Sequence, residues 1–93
     1  MKILICDDEI QYVNTLQAHV QQYMDSRFIN YEILAITSPK EILESETRFD
    51  LAFLDIQMEE IDGISLAKEL KRRNRKIALF FVTNYDDYQD DAM

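Results

Sequence analysis

Ile3-Leu4-Ile5-Cys6-Asp7-Asp8 decides the fold: four apolar residues stop abruptly on two acids. Leu51-Ala52-Phe53-Leu54-Asp55 repeats the pattern, with its acid 47 residues after Asp8. Neighbouring strands of a parallel sheet end on one edge, so Asp7, Asp8 and Asp55 are expected to converge there. That carboxyl edge is where open α/β sheets bind ligands. Like charges held together are unfavourable without a cation between them, and clustered hard oxygen donors suit Mg²⁺. The pattern predicts a magnesium pocket with one carboxylate left for chemistry.

Working outward, residues 2–6 read as a short buried strand closed by acids. Residues 9–26 read as a helix, with Ile10, Val13, Leu16, Val20, Tyr23 and Met24 forming its apolar side. A second strand is predicted over 31–36. Ser38-Pro39 then opens a short helix over 39–46, with Ser as N-cap and Pro at the first helical position. The third strand is predicted over 50–54 and is followed by a loop over 56–62. Gly63 opens a third helix with Ile64, Leu66, Ala67 and Leu70 on its apolar side. Ile77-Ala78-Leu79-Phe80-Phe81-Val82 is a run of six apolar residues, which predicts a central strand buried on both faces. Residues 83–86 form its exit loop, and 87–93 are expected to begin a fourth helix. The order β-α-β-α-β-α-β implies right-handed crossovers and a doubly wound parallel α/β sheet.

Ninety-three residues suffice for one domain. A net charge of −8 argues against nucleic-acid binding by this segment, because phosphate contacts need clustered Lys and Arg. The basic run Lys68, Lys71-Arg72-Arg73 and Arg75-Lys76 falls around a predicted helix end, where cations complement the dipole. Cys6 is the single cysteine, so it is read as a buried small hydrophobe in a reducing compartment. Met1-Lys2-Ile3 leads straight into a strand, and no apolar run reaches membrane-spanning length. These features point to a cytoplasmic protein without a membrane partner. Glu9 fits either the acidic pocket or the first helical turn. His19 is expected on the surface, Met58 in packing, and Glu59 and Glu60 as solvent-facing loop charges.

Ile5-Cys6-Asp7-Asp8-Glu9, Phe53-Leu54-Asp55-Ile56-Gln57-Met58, Ile61-Asp62-Gly63-Ile64 and Phe81-Val82-Thr83-Asn84-Tyr85 together resemble the CheY-like receiver domain of bacterial two-component response regulators. The tail from Thr83 to Tyr88 is similar to receivers attached to LytTR-type DNA-binding domains. The resemblance implies a flavodoxin-like fold and a phosphorylation switch controlling an attached effector, most often in transcription. Asp55 would accept a phosphoryl group from a sensor histidine kinase or a small acyl phosphate. Asp8, Asp55 and the backbone carbonyl of Gln57 would bind Mg²⁺, with Asp7 acting through a water. Thr83 would contact the phosphoryl oxygen. Such a module is a signalling phosphoprotein, not an enzyme.

The chain departs from that family pattern in three ways. No residue matches the lysine that ends the family's fifth strand, and the fifth strand and helix are absent. This predicts an incomplete receiver without an effector domain, a piece of a longer regulator. The usual Pro after the phosphoacceptor is replaced within Glu59-Glu60, and Asn84 is bulky for its place. An uncovered strand 77–82 would be an apolar edge able to pair with a second copy. The main alternative is therefore an unphosphorylated interaction module acting by association or dimerisation. A magnesium phosphohydrolase fits less well, because such enzymes want an acid where Gln57 stands.

Overall fold

Alternation along β1 builds the molecule from the middle outward. In this computed structural model, which describes residues 1–82, β1 (Lys2–Cys6) is the second strand of a four-stranded parallel sheet ordered β2-β1-β3-β4. The remaining elements are α1 (Ile10–Ser26), β2 (Glu32–Ile36), α2 (Pro39–Glu44), β3 (Leu51–Asp55), α3 (Gly63–Arg73) and β4 (Ala78–Val82). Successive side chains of a strand point to opposite faces. Ile3 and Ile5 accordingly join Val13, Val20, Met24 and Leu51 under α1. Leu4 and Cys6 join Ile42, Leu54, Leu66 and Leu70 under α2 and α3. Both faces of β1 are buried, which is why its sequence reads as a continuous apolar run.

The chain reverses into β2 through a Schellman turn. Ile29 N–H donates to the Met24 carbonyl at 3.0 Å, and Phe28 N–H donates to the Asp25 carbonyl at 3.2 Å. Phe28 holds a left-handed φ of 56°, a place usually given to Gly.

Several expectations need correction. The run 77–82 is, among the described residues, not buried on both faces; it has the uncovered edge that was also expected. Among the described residues β4 pairs with β3 alone and lies at the sheet's end, with Phe80 and Phe81 exposed. Only Ile77, just before the strand, is buried. On α1, Ile10 and Tyr23 are exposed, and on α3 so is Ile64, which was expected on the apolar side. Tyr23 instead carries the Arg27 guanidinium 5.1 Å from its ring centroid. Ser38 has the extended backbone of an N-cap but makes no side-chain bond to α2. That helix ends at Glu44, where Ser45 leaves helical geometry and its N–H bonds the Ile42 carbonyl. Glu60 is exposed, as expected, and is in addition engaged by Ser38 and Lys40.

The basic end of α3 is as expected: Lys71, Arg72 and Arg73 occupy its last turn. Glu69 bridges Arg72 and Arg73 at 2.8 and 2.6 Å, which holds its carboxyl down at about 2. His19 is exposed, and Met58 packs in the core.

Candidate functional site

The first site residue is placed by the end of β1. Cys6, the last residue of the strand, registers beside Leu54 of β3, so Asp7 and Asp55 emerge next to each other. Asp7, Asp8 and Asp55 each offer a carboxylate oxygen, and these oxygens all lie within 4.8 Å of one another. Asp7 and Asp55 are each only 5% exposed, whereas Asp8 faces solvent. Asp7 Oδ1 accepts the Glu9 N–H at 2.9 Å, tying the pocket to the first residue before α1. Glu9 itself is exposed and gives α1 its N-cap backbone without a side-chain bond.

Charge in this pocket is held against its preference. Burial pushes the Asp7 carboxyl up to about 6, opposed by the Glu9 amide and reinforced by the charges of Asp55 and Asp8. Burial likewise raises Asp55, against the Gln57 amide and with the repulsion of Asp8. Below them, burial and the same acids push the Cys6 thiol up to about 12, which leaves it an inert packing group.

Asp55 carries the clearest sign of an unmet need. Its Oδ1 accepts the Gln57 N–H at a stretched 3.4 Å, while Oδ2 is buried with no hydrogen-bond partner. A buried carboxylate oxygen without a donor is costly. A hard divalent cation meets that need through carboxylate and carbonyl oxygens, and the donor set here is of that kind. The residues present therefore fit Mg²⁺.

The loop after β3 closes tightly on the same spot. Gly63 N–H donates to the Ile56 carbonyl at 2.8 Å. A Cβ at Gly63 would overlap the Asp55 carbonyl oxygen and press on the backbone of Ile56. The glycine thus permits the close approach of α3 to the end of β3, a role that its reading as a helix opener only half captures. Asp62 caps α3 by accepting the Ser65 N–H at 2.7 Å, which lowers its carboxyl pKa. Met58 folds back to the Cys6 thiol, sulfur to sulfur 3.7 Å. Thr83, the expected phosphoryl contact, lies outside the described residues. Ser38, just before α2, and Glu60, in the loop after β3, make a contact that sequence reasoning missed. The signal available was a capping serine and an acid in the neighbouring loop, and neither residue alone announces the other.

Residues 3–93 match the response regulator receiver domain family. The chain is 33% identical over 89 residues to the transcriptional regulatory protein ZraR of Escherichia coli K12, covering 94% of this chain and 19% of that protein. It is 35% identical over 91 residues to the sensory transduction protein LytR of Streptococcus agalactiae, covering 95% of this chain and 36% of the relative. The chain thus spans about a fifth of the first relative and somewhat over a third of the second. Among solved structures, the response regulator TrrA of Thermotoga maritima, in complex with Mg²⁺-BeF, superposes with a TM-score of 0.72 at 28% identity, covering 97% of this chain and 75% of TrrA. No helix among the described residues is long and apolar enough to cross a membrane. With the acid pocket at the carboxyl edge of a β2-β1-β3-β4 sheet, the chain belongs to the response regulator receiver domain family.

Proposed function

We propose that this chain is a phosphoacceptor module in which Asp55 takes a phosphoryl group from a sensor histidine kinase or a small acyl phosphate. The observation that carries the reading is Asp55 Oδ2, buried and without a partner on a residue that clusters with two further carboxylates. Asp8, Asp55 and the Gln57 backbone carbonyl would hold Mg²⁺, with Asp7 reaching it through water. Bound magnesium supplies the positive charge that offsets repulsion between an anionic nucleophile and an anionic phosphoryl group.

The chain's own residues do the rest. An Asp55 oxygen forms the bond to phosphorus as the bond to the donor's leaving atom breaks, the electron pair departing with that atom. No general base is needed, because an ionised carboxylate carries no proton to remove. The Gln57 N–H on Oδ1 holds the carboxylate in place, and Gly63 keeps α3 against it. Thr83 would then bind a phosphoryl oxygen and relay the change to an attached effector, in line with the regulatory relatives. Incubation with acetyl phosphate tests this. One phosphoryl adduct is expected by intact mass with Mg²⁺, none with EDTA, and none on Asp55→Asn. An unmodified wild type with a native circular dichroism spectrum would contradict it.

A second reading, association through β4, has one observation in its favour: Phe80 and Phe81 are 52% and 41% exposed on a strand that pairs on one side among the described residues. Sedimentation that yields a dimer, dissociated by Phe80→Glu, is the expected result; a monomer at high concentration excludes it.

A further inference from the structure

Ser38 stands where α2 should be capped, yet its hydroxyl serves another partner. Its Oγ donates to Glu60 Oε1 at 2.7 Å, across 22 residues of chain. Lys40 Nζ approaches the other Glu60 oxygen at 3.9 Å. A serine that leaves its helix without a side-chain cap forgoes a stabilising bond. That bond is replaced here by one to a charged acceptor, which is the stronger kind.

Glu60 belongs to the loop over 56–62, whose ends are closed by the Gly63–Ile56 bond and the Asp62 cap. Between those ends, Met58 is held inward against Cys6 and Gln57 makes only a long bond to Asp55. The outward half of the loop is joined to a second element at Glu60. We infer that Ser38, Lys40 and Glu60 form a clasp that positions this loop, and with it the Gln57 carbonyl, for a cation at the acid cluster. The inference rests on the magnesium reading above and assigns to Glu60 and Ser38 a positioning role that touches neither the ion nor the phosphoryl group. The Lys40 arm is the weaker, since its side chain is 68% exposed and screened by water.

Glu60 is itself an anion near the pocket, so its charge must be separated from its bond. Calorimetric Mg²⁺ titration and amide hydrogen exchange at Gln57 and Met58 do this across Ser38→Ala, Glu60→Ala, Glu60→Gln and the Ser38→Ala/Glu60→Ala pair. Ser38→Ala and Glu60→Ala should each weaken Mg²⁺ binding by about threefold, the range of one exposed charged contact, and quicken exchange at Gln57. The double variant should be no worse than Glu60→Ala alone, because both remove one interaction. Glu60→Gln, which keeps the acceptor, should retain most of the slow exchange. Wild-type exchange and affinity in Ser38→Ala, or additive losses in the double variant, would overturn the clasp. A wild type that binds no Mg²⁺, with exchange still quickened in Ser38→Ala, would remove the magnesium reading and uphold the clasp as a loop-ordering device.

Discussion

At Asp7, burial and two neighbouring carboxylates act against ionisation while a single amide acts for it. The sign of the consequence follows from linkage. A carboxyl whose folded pKa is raised from 3.8 to about 6 binds more protons folded than unfolded between those values, so stability falls as pH rises through that window. Asp55 shifts in the same direction. Glu69, held down at about 2, is lost as a stabiliser only in stronger acid and leaves the window clear. The metal-free protein should therefore show a higher urea midpoint near about pH 5 than near about pH 7.5, and saturating Mg²⁺ should remove the difference. A metal-free midpoint that rises with pH would contradict this account of the pocket. Gly63→Ala tests the same pocket sterically. It should cost several kcal/mol, on the order of an overpacked core site, and weaken Mg²⁺ binding by moving Asp55. A loss of stability under about 0.5 kcal/mol, the level of a neutral surface change, would mean that the loop yields without strain. At this scale the acids were legible because identical endings on two apolar runs imply one sheet edge. The steric demand at Gly63 was not, since it depends on a backbone atom eight residues earlier in the chain.

Elements were legible wherever local chemistry agreed with the packing. The third helix has a side-chain cap at Asp62, an apolar side of Leu66, Ala67 and Leu70, and cations in its last turn. Asp62→Ala should cost about 1 kcal/mol by denaturant unfolding, the usual loss for an N-cap. The first helix was legible in length, yet its ending was hidden, because nothing in Arg27-Phe28-Ile29 advertises a left-handed turn. Phe28 adopts one at 95% exposure, so its side chain buries little in return for the strain. Phe28→Gly should stabilise the protein by about 1 kcal/mol, the cost of a left-handed residue with a Cβ. A destabilised variant would instead mean that the ring has a packing partner. β4 was found as a strand, and of its two expected settings, buried on both faces or an uncovered edge, the described residues show the second. Its apolar residues do contact the sheet on one side, as in the Phe53–Phe80 stack at 5.4 Å.

Among the described residues, the acid pocket and a group of basic side chains stand at opposite ends of the sheet. The acids of the pocket lie where β1 and β3 finish, and Arg72, Arg73, Arg75 and Lys76 gather with Arg48 at the opposite end. Helices on both faces of β1 and β3 bury the strands that deliver the acids, so the two core clusters act as the rigid mount of the site. That arrangement was readable from strand and helix order alone. The relation between the loop over 56–62 and Ser38 was not, because it joins two loops through side chains that have no periodic signature. The central claim, that Asp55 and not its neighbours accepts the phosphoryl group, has a direct chemical test. Borohydride reduces an aspartyl phosphate to homoserine and leaves free carboxylates intact, so peptide mapping after acetyl phosphate treatment identifies the acceptor. The account predicts homoserine at position 55 when Mg²⁺ is present and at no position in EDTA. Homoserine at position 7 or 8, or at position 55 regardless of Mg²⁺, would contradict it.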